Sequence, residues 1–404
     1  PSGGARHGRG RAMELEITSD QEFFQETTRK FIRAECPVTA VRALRFDDRG
    51  FDPAYWRQGA ELGWTSLLVS EEDGGGSISG RGLVDLTLVA HEFGRHASPG
   101  PLLPANVVAS ALSRRGSPDQ KAAWLPGLLS GEVVAAWAHP EPAPNAGLGV
   151  VTLEITREGD DYVLRGVKAP VEAGGQAEVL LVSARLADGG LIQLVVPVGT
   201  PGVTVEALTG LDVSRRFAKV VFDGARLPAS AVLGDPGGDT SVEVERQLQE
   251  GLVIQLAETV GAMDIAFEMT VEWAFNRYSF GRPLASYQEL KHRFADMKTW
   301  LEASHGVAAK AAHSVQDAAP GEQYGAASEY TSVAKSYIGQ YGPELAQDCV
   351  QIHGGIGVTY DHDLHLFLRR ITVDRALLGT PAEHRDRLVT ILESRLSEME
   401  GAAR

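Results

Sequence analysis

The 404-residue chain changes its hydrophobic period twice, and that change limits the folds open to it. Up to about Ser130, apolar residues recur at helical spacing. The run DQEFFQETTRKFIRAEC places Phe23, Phe24, Thr27, Phe31 and Ile32 at such intervals, and Ser117 before Pro118 reads as a helix N-cap. From Val150 to Leu233 the chain alternates instead and is rich in Val, Leu and Gly. There VTLEITREGDDYVLRGVKAPV predicts a strand, a turn at Gly159-Asp160-Asp161 and a second strand. After the linker GDPGGDTS, residues 234–241, the helical period returns. Leu248, Leu252, Leu256, Val260, Met263, Phe267 and Val271 then mark one long helix. Further helices are predicted from Leu284, from about Gly325 and after Pro381.

This order predicts an α+β chain: a helical domain over 13–132, an antiparallel β domain over 133–236 and a helical bundle over 237–404. Residues 1–12, PSGGARHGRGRA, read as a disordered tail or an expression remnant. A net charge of −15 argues against nucleic acid or an anionic membrane as a partner. No stretch approaches the roughly 20 apolar residues of a membrane helix. Two cysteines, Cys36 and Cys349, give no disulfide framework, so a reducing cytoplasm is the expected location. His362, Asp363 and His365 lie close together but lack a further cluster at metal-ligand spacing.

Two stretches carry more specific chemistry. RYSFGRPLASYQELKHRFADM, residues 277–297, is followed about fifty residues later by QIHGGIGVTYDHDLHLFLRR, residues 351–370. A pyrophosphate needs a cation and backbone N–H donors. Arg277 offers the first, and Gly354, Gly355 and Gly357 allow backbone to approach a ligand closely. Together with the α, β, α order, the pair resembles the acyl-CoA dehydrogenase family over nearly the whole chain. The resemblance implies that fold, with a C-terminal four-helix bundle, and FAD as cofactor. It implies that Arg277, Ser279, Phe280 and the segment Gln351, Ile352, Gly354, Gly355 contact the ADP part of a neighbouring subunit's FAD, with Leu284, Tyr287, Leu290 and Thr380 also at the cofactor. It implies an acyl-CoA substrate, an electron-transfer acceptor protein and an oligomer, either of this chain or with a related subunit.

The sequence departs from the family in three places. The flavin-ring segment resembling TEPGxGSD is here AAWAHPEPAPNAG, with Pro140 at the threonine place. The KxWIT strand is here KAPVE, with Pro170 and Glu172 at the tryptophan and threonine places. The catalytic glutamate before the Gly-Thr pair is replaced by Leu378. In some relatives the base stands at the start of the long helix, a position that falls on Gly251 here, beside Glu250. Glu250 is therefore either the displaced base or a solvated acid near a helix start. Three functions follow from the resemblance. The chain desaturates acyl-CoA thioesters at the α,β bond with FAD. Alternatively it is a non-catalytic subunit of a heteromeric dehydrogenase, or a flavin monooxygenase of the same fold.

Overall fold

A computed structural model describes residues 17–142, 150–186, 189–235, 238–319, 321 and 325–402. The tail at 1–12 and both residues at the 236/237 boundary lie outside the described residues, as does part of the ring-segment equivalent after Pro142.

Six helices come first: α1 (Ser19–Glu35), α2 (Val38–Ala43), α3 (Pro53–Glu61), α4 (Gly82–His96), α5 (Leu102–Arg115) and α6 (Pro118–Ser130). Ser117 does cap α6, accepting from the Gln120 backbone while the Gln120 side chain returns to Ser117, so two orphan donors are satisfied reciprocally. In α1 the buried face is Gln21, Thr28 and Ile32, and Phe23 is turned to solvent, contrary to the sequence expectation.

The β domain holds β1 (Ala135–Ala138), β2 (Glu154–Glu158), β3 (Asp161–Glu172), β4 (Val179–Arg185), β5 (Leu191–Pro197), β6 (Val203–Leu208) and β7 (Phe217–Pro228). The sheet order is β1-β4-β2-β3-β7-β6, with β5 also on β4. It is mixed and not purely antiparallel, because β1 and β4 pair in parallel from Ala135/Val179 to Ala138/Val182. The β2–β3 hairpin turns at Gly159 with φ 68°, a left-handed conformation that suits glycine.

α7 (Ser241–Asn276) is the spine of the molecule. At 36 residues it extends about 54 Å. Its middle packs against α4 at a close crossing. A Cβ on Gly94 would meet the Glu258 carbonyl oxygen at 1.8 Å, and one on Gly261 would meet the His91 carbonyl oxygen at 2.1 Å. Both positions need hydrogen in place of a side chain. A two-residue hairpin, β8 (Tyr278–Ser279) and β9 (Arg282–Pro283), leads through a single 3₁₀ turn at Leu284–Ser286 to α8 (Gln288–Gln316). α9 (Ala326–His353), α10 (Leu364–Ala376) and α11 (Pro381–Ala402) complete the bundle. α8 begins later than Leu284, and α10 is a separate helix that the sequence pattern did not announce. Among the described residues, no helix is long and apolar enough to cross a membrane.

Candidate active site and cofactor face

The candidate residues fall into two groups far apart along α7, one at its C-terminus and one in its third turn. Gly251 and Arg277 are separated by 26 residues of this helix, about 39 Å.

At the far end, α7 stops at Arg277, whose backbone N–H bonds the Trp273 carbonyl. Its guanidinium lies 6.0 Å from the Trp273 ring centroid, and among the described residues no carboxylate pairs with it. Trp273 in turn stacks on His353 at 5.1 Å, the last residue of α9, so Arg277 and the glycine turn after α9 share one face. Gly354 and Gly355 are exposed, and a Cβ on either would meet nothing within 4 Å. The hairpin turn is made by Phe280 and Gly281, both at positive φ (49° and 80°). This backbone throws the Phe280 ring outward until it is 96% exposed. Tyr287 donates to the Ser279 carbonyl at 2.7 Å and fixes the hairpin. Leu284 and Leu290 are half-buried against the core, Gln351 is exposed and Ile352 is buried. An unpaired arginine, two open glycines and an outward phenylalanine fit the pyrophosphate and adenosine of a dinucleotide that reaches in from another subunit.

At the near end is a cavity of about 350 Å³ between α5, β1, β3, α7 and the α10–α11 connection. That volume is within the roughly 300–1,000 Å³ of ligand pockets. Gly251 and Leu378, the two places where the resemblance sets a base, lie against each other, and Leu378 lines the cavity. A Cβ built on Gly251 would lie 3.2 Å from Leu378 Cδ1 and 3.4 Å from Trp137 Cζ3. Leu378 adopts φ 56°, unusual for a leucine, and its surroundings hold it there. Its carbonyl takes a bond from His384 Nε2 at 2.8 Å, and the Leu377 carbonyl accepts from Lys335 Nζ at 2.7 Å. Burial lowers His384 to about 3, so the ring is neutral and the nitrogen facing the Leu378 carbonyl carries the hydrogen.

Glu250 is not part of this wall. It sits in the third turn of α7, buried and turned away, where Arg114 Nη1 donates to it at 2.7 Å and Arg246 Nε at 2.9 Å. In this geometry Glu250 is held by two arginines outside the cavity wall, and its burial corrects the alternative of a solvated acid near a helix start. One residue along a helix is about a 100° turn, and no local irregularity reverses it. Thr380 is also engaged: its hydroxyl and backbone N–H both donate to Glu383 Oε2 at 2.8 Å, a cap at the start of α11.

The β wall of the cavity differs from a flavin-ring platform. Glu141 is fully occupied, accepting from Lys168 Nζ at 2.6 Å and from the backbone of Thr152 and Leu153. Burial lowers Lys168 to about 8, a drop that Glu141 partly offsets. His139 stacks on Trp137 at 5.1 Å, and burial pushes it down to about 3. Pro170 has no N–H to offer. Glu172 opens into the cavity with its side chain 14% exposed, and its nearest cation is Arg215 at 3.7 Å. Burial raises Glu172 to about 7, with further pressure from Glu258 and Asp374. The polar edge of an isoalloxazine is rich in acceptor atoms, and here it would meet a proline and a carboxyl. Among the described residues the ring side offers a proline and a carboxyl, whereas the ADP side offers an arginine without a carboxylate partner and open glycines.

Behind Glu172 lies a buried charge network. Arg215 pairs with Asp374 at 3.0 Å and with Glu258, while Arg370 pairs with Asp212 at 3.0 Å. Sequence reading missed Arg215, Asp374, Lys335, Gln255 and Trp137. A charged residue inside an apolar run, such as Arg370 and Asp374 in LHLFLRRITVDRA, was the available signal.

The family model described as the acyl-CoA dehydrogenase N-terminal domain matches residues 18–132, and that described as the acyl-CoA dehydrogenase C-terminal domain matches residues 242–392. The chain is 29% identical over 366 residues to acyl-CoA dehydrogenase IpdE2 of Mycobacterium tuberculosis, covering 90% of this chain and 94% of that protein. Its structure is similar to the ChsE4-ChsE5 complex from Mycobacterium tuberculosis, with a TM-score of 0.84, 25% identity and coverage of 94% of this chain and 99% of that one. It is also similar to a variant of the Tcur3481-Tcur3483 steroid ACAD, with a TM-score of 0.82, 25% identity and coverage of 95% and 99%. The chain belongs to the acyl-CoA dehydrogenase family.

Proposed function

We propose that this chain is one subunit of a heteromeric acyl-CoA dehydrogenase. The assembled enzyme desaturates an acyl-CoA thioester at the α,β bond with FAD, and this chain brings no catalytic base. Its contribution is the face formed by Arg277, Ser279, Phe280 and the segment from Gln351 to Gly355, which grips the ADP part of a flavin whose ring lies in a related subunit.

The observation that carries this reading is the pairing of Gly251 with Leu378 at the wall of the cavity, with Glu250 locked to Arg114 and Arg246 outside it. Removing the α-proton of a thioester needs a carboxylate at that wall, and neither residue supplies one; of the carboxyls that do line the cavity, Glu383 accepts from Thr380 and Glu172 lies beside Arg215. The names of two structural neighbours, ChsE4-ChsE5 and Tcur3481-Tcur3483, each pair two components. They support a two-component assembly.

The test is a visible spectrum and a turnover assay on the chain alone and after co-expression with a family member that keeps a glutamate before its Gly-Thr pair. The chain alone is expected to be colourless and inert, and the co-purified complex yellow and active. A homo-oligomer that holds stoichiometric FAD and oxidises acyl-CoA at an ordinary rate would overturn the reading. Loss of a general base alone costs about 10²–10⁴-fold, so the contrast is easily read.

A further inference from the structure

A second cavity, of about 290 Å³, lies where α7 meets α4 and α8. Val253, Ala257 and Val260 of α7 line it, whereas the first cavity takes Leu248 and Gln255 of the same helix. At about 100° per residue, Leu248 and Gln255 stand within about 60° of Gly251 round the helix, and Val253, Ala257 and Val260 stand about 180–240° from it. The two cavities are therefore on opposite faces of α7. The second one exists because the side chains facing it are small: α8 brings Ala308, Ala309 and Ala312. An apolar cavity of about 150 Å³ already accepts a benzene ring, so there is room for a small organic molecule.

The polar end is built from three helices. His91 on α4 and His305 on α8 both line the cavity, and Asp264 of α7 joins them. His91 Nε2 lies 2.7 Å from Asp264 Oδ2, and His305 Nε2 lies 2.9 Å from Asp264 Oδ1. Burial opposes the charge on Asp264, but the two histidines outweigh it and hold the carboxyl below the usual carboxylate range. An ionised carboxylate only accepts, so each histidine donates from Nε2 and the other nitrogen of the neutral ring is an acceptor. That of His91 faces the Gln25 amide at 3.4 Å. Nδ1 of His305 makes no hydrogen bond among the described residues, and this side chain is 41% exposed.

Charge limits what fits. Among the described residues, no Lys, Arg, Asp or Glu lines the cavity. The carboxylates behind its wall are already matched, Asp264 by the two histidines and Glu92 by Arg29 and Gln25. A charged ligand would leave water for a site without a counterion. A neutral molecule with one donor meets apolar walls and one open acceptor.

We infer that this cavity is a second ligand site, for a neutral molecule with a small apolar body and one hydroxyl group that donates to His305 Nδ1. A phenol and an aliphatic alcohol share this chemistry. The walls come from the N-terminal helical domain and from the bundle, so an occupant bridges the two. The site stands apart from the first cavity and from the cofactor face, and it is independent of whether the chain takes part in turnover.

The experiment is calorimetric titration of the full chain at about pH 8 with phenol, 1-hexanol and the methyl ether of each. Phenol or hexanol is expected to bind, and whichever binds identifies the shape of the apolar body. Its ether, which has no donor, is expected to bind about ten-fold more weakly. The bound alcohol is also expected to raise the unfolding temperature, since it binds only the folded chain. His305→Phe keeps a ring without an acceptor nitrogen while His91 still holds Asp264, and it is expected to weaken binding about ten-fold. Ala309→Leu, at a half-buried position, fills the space and is expected to abolish detectable binding. If neither alcohol binds at millimolar concentration, or an ether matches its alcohol, or either variant binds like the parent, the inference is wrong. Should His305→Phe fail to fold, the ether pairs and Ala309→Leu still decide it.

Discussion

The two ends of α7 treat the family pattern in opposite ways. At Arg277 the motif is intact and its side chains are presented outward: a guanidinium without a carboxylate, open glycines and a phenylalanine in solvent. At Gly251 the motif is lost and the side chains are turned inward. The base places are Gly and Leu, and the wall behind them is tied up in ion pairs among Glu172, Arg215, Glu258 and Asp374. A subunit that did its own chemistry would need both ends. The difference teaches that on the proposed reading a cofactor face and a reaction cavity can change independently, because they lie about 39 Å apart on one helix.

The sharpest way to break the comparison is at the inward end. Arg215 pairs with all three of Glu172, Glu258 and Asp374, with Arg370 a second cation 3.7 Å from Glu258, and burial alone would not tolerate three carboxyls together. Arg215→Met is expected to destabilise the fold by about 3–5 kcal/mol, read as a shift in urea unfolding. A neutral result would mean that the network does not support the cavity wall and that its charges are protonated or solvated instead.

That network also marks the limit of what the sequence revealed. α7 was legible because its apolar residues recur without interruption from Leu248 to Met263. α10 was not, because Arg370 and Asp374 break the apolar pattern and their burial is decided by partners on other elements. The parallel β1–β4 pairing is set by register between strands more than forty residues apart, which local alternation does not encode. At the outward end, arginine and glycines at fixed spacing were enough to find the face, since backbone approach and charge are local properties. At the inward end, counting along the helix found Glu250 but not its orientation. Arg114 on α5 decides that, and no spacing in α7 reports it. Trp137 and Gln255 read as ordinary interior residues, and only the folded chain brings both to the cavity.

The outward end is tested by Arg277→Ala in the assembled enzyme. Loss of one charge-assisted contact to a pyrophosphate costs about 1.5–3 kcal/mol, so FAD is expected to bind roughly ten- to a hundred-fold more weakly with stability unchanged. Unaltered FAD affinity would reduce Arg277 to a helix terminus with no cofactor role, and the comparison would lose one of its sides.

Glu172 gives a pH signature of the altered wall. Its carboxyl is raised from 4.5 to about 7 by burial, so the folded state holds a proton that the unfolded state has released. The stabilising contribution is complete below about pH 4.5 and is lost as pH rises through about 7. Glu172→Gln removes the ionisation. The variant is expected to gain stability relative to the parent by about 1–2 kcal/mol more at about pH 8 than at about pH 5, less than the full shift because the side chain opens to the cavity. A difference that does not change with pH would show that Glu172 stays ionised beside Arg215 throughout.

The smallest effect decides the base question. Glu250 is paired with Arg114 and Arg246, both of which keep partial solvent contact, and Arg114 retains Glu243 at 2.6 Å when Glu250 is neutralised. Glu250→Gln can still accept from both arginines, so the expected cost is about 1 kcal/mol of stability. Turnover by the assembled enzyme is expected to stay within about two-fold of the parent, since removing a true base costs about 10²–10⁴-fold. Both quantities are needed. A loss of turnover with unchanged unfolding would return Glu250 to the active site and require α7 to rotate near Gly251. The Trp137 and Leu378 side chains packed against Gly251 oppose that rotation, because it would drive a side chain into the space they fill. Unchanged turnover with slightly lower stability is the result this packing dictates, and it leaves the proton to be taken by a group other than Glu250.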